Sequence, residues 1–96
     1  MEGVLKMRKI FRGRNIIKNG EKQLRLDYYL IEESRIFYNE ENPRNSYGIE
    51  IIRDDEEIEI VKDITINKEV AIEIIDKIVD NQVFPVHLLD VVEDLL

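Results

Sequence analysis

The chain has 96 residues, 44% of them hydrophobic and 36% charged, with a net charge of −7. That length suits one domain over residues 1–96 with a modest core, and the patterning of the aliphatic residues argues against disorder. There is no cysteine, which excludes disulfides, thiolate metal sites and a cysteine nucleophile.

The charge is laid out unevenly. Residues 1–25 hold Lys6, Arg8, Lys9, Arg12, Arg14, Lys18, Lys22 and Arg25 against Glu2 and Glu21, a balance of +6, whereas the remainder carries −13. Such a layout closes on itself, pairs with a second copy, or presents a basic patch to an anion. The first residues lack the continuous apolar stretch of a signal peptide, and no run approaches the ~18 apolar residues of a membrane span. A soluble, cytoplasmic protein with no membrane attachment is expected.

Met7–Lys18 mixes bases with Ile10, Phe11, Ile16 and Ile17 and reads as a strand with a bulge at Gly13. Asn19-Gly20 predicts a type I′ hairpin turn, because both central residues of that turn need positive φ. The return strand, Lys22–Glu33, places Leu24, Leu26, Tyr28 and Leu30 on one face and Arg25, Asp27, Tyr29 and Ile31 on the other. Together these make a basic N-terminal hairpin over residues 1–33. Residues 34–46 read as a loop centred on Asn39–Asn45, with Arg35-Ile36-Phe37-Tyr38 either extending the preceding strand or forming a short one.

Residues 47–63 read as an acidic-tipped hairpin. Tyr47–Arg53 directs Tyr47, Ile49 and Ile51 to one face, Asp54-Asp55-Glu56-Glu57 turns, and Ile58–Asp63 returns with Ile58 and Ile60 inward. Ile52 and Val61 fall on the opposite face.

Residues 67–96 read as a helical pair. Asn67 is suited to cap the first helix, and Val70, Ala71, Ile72, Ile74, Ile75, Ile78 and Val79 span about 200° of its surface. Glu73 and Lys77 are spaced as an i,i+4 pair, and Asn81 is the expected left-handed residue after its end. Pro85 fits the first turn of a second helix over Phe84–Leu96. Its apolar stripe is Leu88, Leu89, Val91, Val92, Leu95 and Leu96, and its wet stripe His87, Asp90, Glu93 and Asp94. The fold class that follows is α+β: an antiparallel meander sheet of about four strands, then two C-terminal amphipathic helices packed on one face. The other face is left for a partner or for water.

Chemical motifs are sparse. The glycines at 3, 13, 20 and 48 are scattered, so no phosphate-binding loop is formed. His87 shares a helix face with Asp90 and Asp94, but no serine lies on that helix and two aspartates at this spacing define no metal site. The Asp54–Glu57 run lacks the alternating ligands and glycine of a calcium loop. The basic segment pairs with Glu32, Glu50 or Glu59 across strands, or meets a second copy or an acidic partner. Alternatively it binds nucleic acid, with Phe11 or Tyr29 stacking on bases, a reading that the overall negative charge opposes. The expectation is no enzyme, no metal and no cofactor. In their place stands a protein-interaction or regulatory module, self-associating or bound to another protein. Its candidate surface is Lys6, Arg8, Lys9, Arg12, Arg14, His87, Asp90 and Asp94; the alternative is a nucleic-acid-associated regulator.

Tyr47-Gly48-Ile49-Glu50-Ile51, Asp63-Ile64-Thr65 and the block from Pro85 to Leu95 carry a resemblance. On these residues the chain resembles a family of small uncharacterised proteins, a domain of unknown function, of spore-forming low-GC Gram-positive bacteria. The resemblance spans roughly Asp27–Leu96. It implies a bacterial cytoplasmic setting and transfers no activity, cofactor or binding residue. Phe84 stands before Pro85 where the resemblance leads one to expect a small polar residue, so this helix should begin without a side-chain cap.

Overall fold

The computed structural model describes residues 3–36 and 42–96, with side chains from residue 6 onward. Strands β1 (Gly3–Asn19), β2 (Lys22–Ile36), β3 (Arg44–Arg53) and β4 (Glu57–Thr65) pair antiparallel in the order β1-β2-β3-β4. Helix α1 (Lys68–Asp80), a 3-10 turn (Pro85–His87) and helix α2 (Leu88–Leu95) complete the chain. This is the α+β meander with two C-terminal helices that the periodicities predict.

Strand parity explains the first hairpin. Ile10 and Ile17 both pack on the core, yet their odd spacing would put them on opposite faces of a regular strand. The ladder steps from Phe11↔Tyr29 to Gly13↔Tyr28, leaving Arg12 as the extra residue of a bulge. The bulge resets the parity, so both isoleucines turn inward while Phe11 and Ile16 turn outward. The hairpin closes at Asn19↔Lys22 around Gly20-Glu21, with φ positive only at Gly20 (+64°). That is the pattern of a type II′ turn, one residue later than the Asn19-Gly20 expectation. Positive φ at two successive central residues occurs instead at Asp54 and Asp55, closed by Glu56 N–H donating to Arg53 O at 2.9 Å. Asp54 is held there because its carboxylate accepts from Arg25 N at 2.8 Å and its own N–H donates to Arg25 O at 2.9 Å.

β2 and β3 run further than the composition suggests. Ser34↔Asn45 and Arg35↔Arg44 continue the ladder, so Arg35-Ile36 extends the preceding strand, one of the two expectations for it, while Ser34 and Arg44–Ser46 are strand and not loop. Backbone hydrogen bonds carry such polar ends without apolar side chains. Phe37, Tyr38 and residues 39–41 of the expected loop lie outside the described residues.

β4 corrects the inward assignment of Ile58 and Ile60. Ile49 pairs with Val61 and Ile51 with Glu59, which puts odd-numbered residues of β4 on the helix-covered face. Ile58 and Ile60 face away with Ile52, opposite Ile52 and Glu50 respectively. A one-residue change of register inverts every side chain, and here pairing with β3 decides it. Beyond Val61 the register slips, Asp63 takes φ 54°, and Tyr47 pairs with Thr65. Gly48 permits this slip: a Cβ there would lie 2.5 Å from Val61 O and 2.9 Å from Lys62 Cα.

Asn67 caps α1 as expected, its side-chain oxygen accepting from Val70 N at 3.2 Å. At the other end Gln82, not Asn81, is left-handed (φ 52°). Val83 N–H donates to Ile78 O at 3.2 Å and Gln82 N–H to Val79 O at 3.1 Å, the paired bonds of a Schellman motif. Glu73 and Lys77 do not form the ion pair that their spacing suggests. α2 begins through the 3-10 turn at Pro85 with no side-chain cap, in keeping with Phe84 at that position. Ala71, Ile74, Ile75 and Ile78 of α1 and Leu88 and Val92 of α2 bury against Leu26, Tyr28, Leu30, Tyr47, Ile49 and Ile51 of the sheet. Leu89, expected in that roof, is exposed.

Candidate interaction surface

Among the described residues, helices cover one face of the sheet only. The uncovered face takes Met7, Lys9, Phe11, Arg14 and Ile16 from β1, and Asp27, Tyr29, Ile31 and Glu33 from β2. β3 and β4 add Ser46, Glu50, Ile52, Ile58 and Ile60. Its middle is sealed by its own side chains. Asp27, Glu33 and Glu50 are at most 5% exposed, and each lies under a longer cation. Arg14 reaches Asp27 at 2.5 Å and Arg25 reaches it at 3.0 Å. Lys9 pairs with Glu50 across the intervening strand, and Lys62 Nζ lies 3.9 Å from Glu33. Burying a carboxylate is costly unless a cation replaces its lost hydration, and here each has one beside it.

The rings join this network. Phe11 meets Tyr29 edge-on with centroids 5.6 Å apart, Lys9 Nζ lies 4.4 Å from the Tyr29 centroid, and the Arg14 guanidinium lies 5.7 Å from that of Phe11. The exposed apolar surface is therefore pushed to the margins. Met7, Phe11 and Ile16 on β1 and Ile58 and Ile60 on β4 are each 39–54% exposed. Both of these strands are sheet edges, with outward backbone groups that no described element pairs.

The residues singled out from the sequence are divided by this architecture. Lys9 and Arg14 belong to the uncovered face. Lys6, Arg8 and Arg12 lie on the helix side of β1, where Arg8 meets Glu32 at 3.2 Å and Arg12 meets Asp76 of α1 at 3.1 Å. Cross-strand pairing with Glu32 and Glu50 is thus present, whereas Glu59 takes no such part. His87, Asp90 and Asp94 are exposed on the 3-10 turn and α2, which pack over β4 at the far edge from β1. The two groups form no common patch. Among the described residues His87 makes no ion pair, and no group of three metal-ligating side chains converges.

Three titrations are displaced by structure: Asp55, with Asp27, raises that of the Arg25 guanidinium, and two others belong to Asp63 and Tyr28. Ser46 donates to Asp63 at 2.6 Å and Arg35 lies against the same carboxylate, which together hold Asp63 below the usual range despite its partial desolvation. Burial pushes the Tyr28 hydroxyl up, against a hydrogen bond from Asn15. Asp63 and Tyr28 pin the fold: Asp63 fixes the irregular end of β4, and Tyr28 donates to Val83 O at 3.0 Å beneath the helix junction.

Sequence periodicity missed Met7, Ile16, Ile58 and Ile60 as surface residues. The bulge at Arg12 hides the continuity of Met7, Phe11 and Ile16, and strand pairing alone settles the parity of β4.

The model of a family of unknown function (DUF6514) matches residues 7–96. That span takes in all but the first four residues of β1, so most of the basic strand is part of the family pattern and the resemblance over Asp27–Leu96 was too short. No curated protein and no solved structure matches the chain.

Proposed function

The chain belongs to this family of unknown function, and we propose that it is a non-enzymatic protein-interaction module that binds through the unroofed side of its sheet and the flanking edge strands. The supporting observation is the placement of Met7, Phe11, Ile16, Ile58 and Ile60. A monomer has little use for five large apolar side chains raised at two unpaired strand edges around a charge-sealed centre. The bacterial cytoplasmic setting implied by the Pro85–Leu95 resemblance belongs to the same reading.

The test is a comparison of wild type with the Phe11→Asp, Ile60→Asp double variant, both shown folded by circular dichroism. Light scattering over a dilution series reads self-association, and affinity capture from the native cell with mass-spectrometric identification reads other partners. Association or a captured protein present with wild type and lost with the variant supports the proposal. A wild type that stays monomeric and captures nothing the variant does not would overturn it.

One observation favours a second reading. Phe11 and Tyr29 flanked by Lys9 and Arg14 make a stacking platform on an uncovered four-stranded sheet, a usual way to hold single-stranded nucleic acid. It ranks second because Asp27 and Glu50 lie beside the rings and occupy those cations. It requires salt-sensitive binding of single strands that is lost with Phe11→Ala, Tyr29→Ala; unchanged mobility of single-stranded probes at 50 mM salt (about the low-salt limit for such contacts) removes it.

A further inference from the structure

The two edge strands of this sheet complement each other. On β1, the stretch Lys6–Phe11 lies between two register slips and pairs evenly with β2, so its outer edge is regular. On β4, Glu57–Val61 pairs evenly with β3 and ends at the slip beyond Val61. The first stretch is basic and the second acidic. Both turn aliphatic side chains to the uncovered face, Met7 on one and Ile58 and Ile60 on the other, and charged side chains to the helix side, Lys6 and Arg8 against Glu57 and Glu59.

Resting on the interaction-module reading, we infer that the partner is a second copy of this chain, joined by pairing β4 of one copy with β1 of the next. Consecutive strands alternate in direction, so a copy placed in the same orientation sets β4 antiparallel to the neighbouring β1 and continues the sheet. Matching faces restricts the register to alternate steps. One of them sets Lys6 opposite Glu59, Met7 opposite Ile58, Arg8 opposite Glu57 and Lys9 opposite Glu56. It joins opposite charges on the helix side and apolar side chains on the uncovered side. Pairing β1 with another β1 would instead set bases against bases. Among the described residues Lys6 and Glu59 form no ion pair within the chain, which leaves both available to a neighbour. The contact is heterologous, so association proceeds beyond a dimer until a ring closes or the chain of copies ends.

The native sequence has no cysteine, which makes directed cross-linking clean. Full-length Met7→Cys and Ile58→Cys variants are mixed under mild oxidation; directly opposite positions on neighbouring strands fall in the disulfide range. The expected product is the mixed Met7→Cys–Ile58→Cys species in excess of either homodimer. In light scattering, Lys6→Glu and Glu59→Lys each weaken association about threefold to tenfold, and an equimolar mixture of the two regains it. A dominant Met7→Cys homodimer, or association that neither charge reversal alters, overturns the edge pairing while leaving an interaction module standing. A chain that neither associates at any concentration nor captures a partner overturns both.

Discussion

Gly13 and Val79 are in contact across the interface between β1 and α1: a Cβ on Gly13 would lie 2.9 Å from Val79 Cγ1 and 3.3 Å from Cγ2. Gly13 does not have positive φ, so the requirement is space for the helix and not backbone freedom. Asn15, two residues on, donates to Val79 O at 2.7 Å and so ties the same turn of α1 to the strand. Gly13→Ala should therefore destabilise by about 1–3 kcal/mol, the range of a small overpacking. Adding Val79→Ala should return part of that loss in a double-mutant cycle measured by urea denaturation. Strictly additive effects of the two substitutions would contradict the contact.

Gly48 is a stricter case, because its neighbours are backbone. With Val61 O 2.5 Å and Lys62 Cα 2.9 Å from the position of a Cβ, no side-chain rotation relieves the clash. β4 would have to move away from β3 at the slip that turns Asp63. Gly48→Ala should cost more than Gly13→Ala, about 3 kcal/mol or more. Gly20 provides the control. Nothing lies within 4 Å of its Cβ position, so a side chain there meets no clash and only the strain of φ +64°; Gly20→Ala should cost about 1–2 kcal/mol, less than Gly48→Ala.

Tyr28 gives the fold an alkaline limit. Its hydroxyl is buried, donates to Val83 O and is pushed above its ordinary value of 10.0 by burial. A pKa raised on folding contributes stability that is complete below the unfolded value and is lost as pH rises from there through the folded value. Stability should fall above about pH 10 in the wild type. Tyr28→Phe should cost about 1–2 kcal/mol at neutral pH, for the carbonyl left without its donor, and should lose that alkaline slope. Denaturant melts from pH 7 to pH 11 read both effects; an unchanged slope in Tyr28→Phe would refute the assignment.

Asp63 acts with the opposite sign. Its folded pKa is lowered from 3.8, first by the hydrogen bond from Ser46 and then by Arg35. A depressed carboxyl contributes stability above its unfolded value, lost as pH falls below about 4 and through the folded value. Asp63→Asn should flatten the acid limb of the stability curve. Ser46→Ala should do so partly, since Arg35 remains against the carboxylate. The carboxylate is half exposed, so the effect belongs with modest surface pairs. Chemical shifts of the Asp63 carboxyl carbon followed from pH 6 to pH 2 measure its titration directly.

What the sequence discloses and what it withholds divide at tertiary contacts. Leu24, Leu26, Tyr28 and Leu30 alternate at period two, and Ile74, Ile75 and Ile78 recur at helical spacing, so the core of β2 and α1 can be read locally. Asn67 and Pro85 mark their helix starts by their own chemistry. The parity of β4 is not local: Ile58 and Ile60 alternate as cleanly as Glu59 and Val61, and only the pairing with Ile49 and Ile51 decides which set is covered. Likewise the turn at Gly20-Glu21 moves one residue because Asn19 is drawn into the ladder with Lys22. The surface residues follow the same rule. Bases on β1 are visible as a run, but the bulge at Arg12 and the carboxylates beneath Lys9 and Arg14 determine which of them reach solvent.

That parity makes the last prediction. Ile49 is fully buried between the sheet and the helices, whereas Ile60, on the neighbouring strand, stands on the uncovered face at 39% exposure. Ile49→Ala removes packed methylene groups and leaves a cavity, which costs about 2–5 kcal/mol. Ile60→Ala removes a side chain already wetted on one side and should cost under about 1 kcal/mol in the monomer. The inward orientation that local alternation suggests for Ile58 and Ile60 requires equal losses at the two sites. Parallel urea titrations at a concentration where wild type is monomeric separate the cases. Raising the protein concentration then adds a second reading, since Ile60→Ala should also weaken self-association while Ile49→Ala acts on folding alone.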